Sequence, residues 1–78
     1  MYVTEIAGQM SNARSVKVDK EFARKGNAVK AAQKALKDGV IYFDNPELYK
    51  WQRRVEVESA RVYNEDNPEE FIEITIDN

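Results

Sequence analysis

Tyr2 to Ala7 sets β-branched and aromatic residues at near-alternate positions, the pattern of a half-buried strand ending at Gly8, with either face able to turn inward. After a polar turn around Ser11 and Asn12, Val16, Val18 and Phe22 recur at even spacing and predict a second strand from Arg14 to Phe22, paired with the first as a hairpin. Gly26 and Asn27 break the alternation. Asn27 is a suitable N-cap, and a helix is expected between it and Gly39, which fits the left-handed position that ends helices. On that helix Val29, Ala32 and Leu36, flanked by Ala28 and Ala35, make one apolar stripe, with Lys30, Lys34 and Lys37 on the other side. A rival reading runs one longer helix from Asp19, at the cost of an interior Gly26.

Val40 to Asp44 reads as a short strand or buried connector, and Asn45 with Pro46 as a turn or a single helical turn capped by Asn45. Trp51, Arg53, Val55 and Val57 alternate along a long strand, but Ala60 and Val62 continue the apolar series out of phase. A bulge near Glu58 and Ser59 would return both to the core side, with the strand ending near Tyr63. A polar loop from Asn64 to Glu70 and a last strand carrying Ile72, Ile74 and Ile76 complete a second hairpin. The phrase Asp-Asn-Pro-Glu-x-aromatic occurs at 44–49 and again at 66–71, which reads as reused turn chemistry rather than a repeat. The expected fold is α+β, of order β-β-α-β-β: a four-stranded antiparallel sheet with one helix packed on one face and the other face open.

Seventy-eight residues allow one domain, 1–78, with a thin core. The chain has no cysteine, so neither disulfides nor thiolate metal sites can staple that core. The longest apolar run, Val40 to Phe43, is far too short to span a membrane, and no basic region followed by an apolar stretch opens the sequence. Neither a signal peptide nor a membrane partner is expected, and the expected location is the cytoplasm.

Histidine is also absent, which removes the commonest metal ligand and the side chain that titrates near neutrality. Gly8, Gly26 and Gly39 are too widely spaced for a phosphate-cradling loop. The acidic stretch Glu65 to Glu70 lacks the glycine and the closing glutamate of a calcium loop. No catalytic residue, metal site or cofactor is therefore expected. Charge is instead segregated: residues 14–37 hold eight cations and two acids, residues 38–78 four cations and eleven acids.

This segregation predicts two surfaces. A basic face of Arg24, Lys25, Lys30, Lys34 and Lys37, extended by Lys17 and Lys20, could follow a phosphate backbone of DNA or RNA. The alternating basic and aromatic pattern that stacks single strands is not found on this reading. A second face, with Glu56 and Glu58 projecting together and Tyr49 and Trp51 as amphipathic anchors, could enter a basic groove of another protein. Of Tyr42, Phe43, Tyr49 and Trp51, more than half are expected in the core. Exposure of Tyr49 or Trp51 would mark the best binding candidate.

In its size, its polarised charge and the passage over Arg14–Asp38 from a strand into an Ala- and Lys-rich helix, the chain resembles the small proteins that bacteriophages encode against host machinery, including anti-CRISPR and host-polymerase inhibitors. The resemblance carries no functional residue to any position. It implies an inhibitor that acts by occupying a surface of a larger host protein or ribonucleoprotein complex, inside the host cell. The alternative expectation is a small nucleic-acid-binding protein using the basic helix face. Because the outward positions of the last strands carry Glu56, Glu58, Glu73 and Thr75, like charges disfavour face-to-face stacking of two copies, and a monomer is expected over a homodimer.

Overall fold

The structure is a computed structural model that describes residues 1–11 and 15–75. Strand β1 (Tyr2–Met10) pairs antiparallel with β2 (Ser15–Phe22), and the chain then enters helix α1 (Lys25–Asp38). A short strand β3 (Val40–Tyr42), a single 3-10 turn (Lys50–Gln52), β4 (Arg54–Asn64) and β5 (Asn67–Ile74) follow. The architecture is α+β in the expected order, with β3 as an added three-residue strand. The sheet runs β2-β1-β4, and the far edge of β4 is shared: β3 pairs with Arg54–Glu56, while β5 pairs with its other half, Ala60–Asn64.

Alternation along β1 sends Tyr2, Thr4 and Ile6 to the helix side. There Ile6, Ala60 and Val62 meet Ala28, Ala32 and Ala35 of α1, all fully or nearly fully buried. Three alanines without long side chains let the helix backbone sit close to the sheet. The Thr4 hydroxyl donates a 2.7 Å hydrogen bond to the Ala28 carbonyl, tying helix to sheet in the core. Val29 and Leu36, expected within the apolar stripe, are half-buried at its margin.

The anticipated bulge is present. Ala7 pairs with Ser59 but Gly8 with Val57, so Glu58 is the extra residue and the phase of Ala60 and Val62 is restored. Contrary to expectation, β1 does not stop at Gly8 but runs on to Met10. Gly8 is where β4 crosses too close for any side chain, since a Cβ there would strike the Glu56 carbonyl oxygen.

Three other expectations are corrected. Asn27 is not the N-cap: α1 begins at Lys25 after Arg24, and Gly26 and Asn27 lie in its first turn, which the Ala28 N–H closes by donating to the Arg24 carbonyl at 3.2 Å. The single long helix from Asp19 is excluded, since β2 extends to Phe22. At the other end Gly39 does cap, with φ 73° and its N–H donating to the Ala35 carbonyl. Strand β4 begins at Arg54 rather than Trp51. The loop expected from Asn64 to Glu70 shrinks to Glu65 and Asp66, with Asn64 paired to Asn67 and its Oδ1 accepting from the Asp66 N–H.

The two Asp-Asn-Pro-Glu phrases do different things. Asn45 Oδ1 accepts from the Glu47 N–H in a turn, whereas Asn67 and Pro68 open β5. Arg14 and Ile76, expected at strand ends, lie outside the described residues.

The face away from the helix is partly closed rather than bare. Val3 is buried there, and Arg61 grips Glu5 through two hydrogen bonds of 2.9 and 3.2 Å while lying 4.9 Å from the Phe71 ring. Lys17 adds a 3.9 Å contact to the same carboxylate. Burial, reinforced by Asp19, pushes the Tyr63 hydroxyl above its usual range.

Candidate binding surface

The connector from β3 to β4 exposes more aromatic surface than any other part of the described chain. Tyr42 is 43% exposed, Tyr49 73% and Trp51 64%, while Phe43 is half-buried. This overturns the expectation that most of the four rings would be core. The reason lies in the local backbone. Pro46 and the Asn45 turn redirect the chain, with Leu48 N–H bonded to the Asn45 carbonyl, and the Tyr49 N–H then donates 2.9 Å to Gln52 Oε1. Gln52 N–H returns to the Tyr49 carbonyl and Arg53 N–H to that of Lys50. Trp51 thus rides on a 3-10 turn outside the sheet, where it stays largely uncovered. Downstream, the Phe43 N–H donates to the Arg53 carbonyl and Tyr42 pairs with Arg54, which fastens the turn to the end of the sheet.

The charges brought to this turn are cations. Lys50 Nζ lies 4.9 Å from the centre of the Tyr42 ring, Arg53 is half-buried with its Nε enclosed and unpartnered, and Arg54 holds Glu56 at 2.9 Å. Among the described residues, no carboxylate comes within 4.0 Å of Lys50 or Arg53. The acidic partners assigned to Tyr49 and Trp51 from the sequence are placed differently. Glu56 sits two positions along β4 from Arg54 and is engaged by it. Glu58, at the bulge, borders a shallow 310 Å³ hollow with Ala7, Ser15 and Lys17.

The signal that sequence reasoning missed was available. Tyr49-Lys50-Trp51-Gln52-Arg53-Arg54 interleaves rings and cations without a single acid. Placed in a strand, its alternate positions read as one buried and one exposed face; with the 3-10 turn at Lys50–Gln52, Tyr49, Lys50 and Trp51 are all exposed, while Gln52 and Arg53 are half-buried.

The basic helix face is present but divided. At about 100° per residue, Lys30 and Lys37 fall opposite the buried alanine line, and both are exposed. Lys34 is engaged by Asp38 at 3.4 Å. Arg24 and Lys25 stand at the helix N-terminus, whose first turn contains no acid, so like charge meets the positive end of the dipole. Lys25 borders a 260 Å³ hollow with Glu70 and Asn67. Lys17 and Lys20, expected to extend this face together, lie on opposite sides of the sheet: Lys20 pairs with Thr4 on the helix side and Lys17 with Ala7 on the other.

Among the described residues no three carboxylates are arranged to hold a metal ion, and the Thr4 hydroxyl is spent inside the core. No described helix is long and apolar enough to cross a membrane. No family model, curated protein or solved structure matches the chain.

Proposed function

We propose that this chain is a non-catalytic binding module that occupies a surface of a larger nucleic-acid-handling complex, as phage-encoded inhibitors do, and that it makes contact through the turn around Tyr49 and Trp51. The observation that carries this reading is the exposure of both rings on a hydrogen-bonded turn. Rings held in place lose little conformational freedom on binding and are favoured anchors at interface centres. If each offers on the order of 100 Å² to a partner, covering both at roughly 25 cal/mol per Å² gains about 5 kcal/mol before the costs of association.

Affinity purification with the tagged chain tests it. The expected result is a stoichiometric partner retained in both low and moderate salt, lost with Tyr49→Ser/Trp51→Ser and kept when Lys30, Lys34 and Lys37 become glutamine. A second reading, backbone binding of DNA or RNA by Arg24, Lys25, Lys30, Lys34 and Lys37, is supported by the exposure of Lys30 and Lys37 without carboxylate partners among the described residues. It predicts the reverse dependence on the two sets of substitutions.

A further inference from the structure

We infer that the turn at Tyr49–Arg54 is a stacking platform for single-stranded nucleic acid, so that the ligand is the unpaired strand of the complex rather than its protein surface. This rests on the reading of the aromatic turn as the contact point and names what it contacts.

Aromatic exposure alone would suit many partners; the charges around it narrow the choice. The run 49–54 carries three cations and no acid in a chain whose residues 38–78 are otherwise dominated by carboxylates. Lys50 stands at the Tyr42 ring and Arg53 is fixed at the end of β3 through its carbonyl, which bonds to Phe43. The acids of the preceding connector, Asp44 and Glu47, are exposed, and neither lies within 4.0 Å of these cations. A ligand that presents flat apolar faces and negative charge at alternating places along one chain satisfies both features. Unpaired bases stack on exposed rings, and the phosphates between them neutralise Lys50 and Arg53.

Duplex fits poorly, because its base faces are already stacked on one another and leave the rings nothing to lie against. The helix lysines have no ring among them, since α1 contains no aromatic residue, and can neutralise phosphate but offer no face for a base to stack on.

The test is a titration of labelled oligo(dT) and oligo(U) of about 12 nucleotides, with a duplex of equal length and poly-glutamate as competitors. Trp51, the only tryptophan, reports stacking directly through quenching of its own emission. The expected result is single-strand binding with Trp51 quenching, weakened as salt rises from about 50 to about 200 mM. Trp51→Ala should weaken it about 5- to 150-fold, and Lys50→Gln/Arg53→Gln should also weaken it and flatten its salt dependence. Lys30→Gln/Lys34→Gln/Lys37→Gln should cost less than Trp51→Ala. Far-UV circular dichroism verifies that each variant is folded, and the Lys50 and Arg53 variants leave both rings in place should Trp51→Ala perturb the turn.

Four results would each overturn the inference: no single-strand binding at the lower salt, affinity unchanged in both variants of the turn, duplex bound equally well, or poly-glutamate competing equally. If oligonucleotides fail while a protein partner is still lost with Tyr49→Ser/Trp51→Ser, this inference falls and the surface-occupation reading stands. If the turn matters to neither, both fall.

Discussion

Replacing Gly8 with alanine probes the joint on which the sheet depends. The new Cβ would run into the carbonyl oxygen of Glu56 and come within 2.9 Å of Val55 Cγ1. Neither neighbour can withdraw easily: Val55 is fully buried, and the Glu56 backbone is held between β1 and β3. Forcing a methyl group into such a site costs about 1–3 kcal/mol, out of a net stability of roughly 4–12 kcal/mol for a domain of this length. At about 4–8 °C per kcal/mol, a loss near 2 kcal/mol lowers Tm by roughly 10 °C. Gly26→Ala is the matched control. Nothing lies within 4 Å of a Cβ there, and the position is helical, so alanine should stabilise by up to about 1 kcal/mol. Thermal and urea unfolding followed by far-UV circular dichroism reads both; Trp51 fluorescence is a poor probe because the ring is already exposed. A Gly8→Ala protein within about 0.5 kcal/mol of the parent, or a Gly26→Ala protein destabilised as much as Gly8→Ala, would show that the crossing at Gly8 is not sterically closed to a side chain.

Two further substitutions test the packing and the charge pattern. Thr4→Val keeps the shape but removes the donor to the Ala28 carbonyl, which keeps its helical partner, so unfolding free energy should fall by about 1 kcal/mol. The Glu65 carboxyl is raised above its usual range, chiefly by sharing a hydrogen bond with Glu21, with desolvation and the Glu21 and Asp66 charges adding and the N-terminal amine opposing. A carboxyl whose folded pKa exceeds its unfolded one binds its proton more tightly when folded, so its contribution to stability grows as pH falls through that folded value. Glu65→Gln should therefore raise Tm at about pH 7, with the gain shrinking toward about pH 4, where the parent is itself protonated. An equal difference at both pH values would count against this pairing.

What could be read from the sequence was what depends on periodicity. The bulge was legible because Ala60 and Val62 fall out of phase with Val55 and Val57, and only an extra residue reconciles them. Gly39 was legible because few residues tolerate its positive φ. The start of α1 was not, because the side chain of Asn27 suits a cap while the helix in fact opens with a backbone bond from the Ala28 N–H to the Arg24 carbonyl, which needs no side chain to signal it. The site was half legible. Tyr49 and Trp51 were named as anchors, but alternation carried the predicted strand back through Trp51 and hid the side-chain hydrogen bond of Gln52 that makes a turn there. The pairing of Glu56 with Arg54 was not legible either, because it depends on where β4 begins. Lys17 and Lys20, three apart, share a helix face but not a strand face, and β2 is a strand.

Contact through the exposed rings of the turn is checked by mapping Trp51 accessibility to a neutral quencher in the free chain and in whatever complex the tagged chain forms. Trp51 should be open in the free chain and strongly protected in the complex, and the complex should be lost in Tyr49→Ser/Trp51→Ser while the fold persists. A complex in which Trp51 stays as accessible as in the free chain, or which forms equally well without both rings, would contradict it.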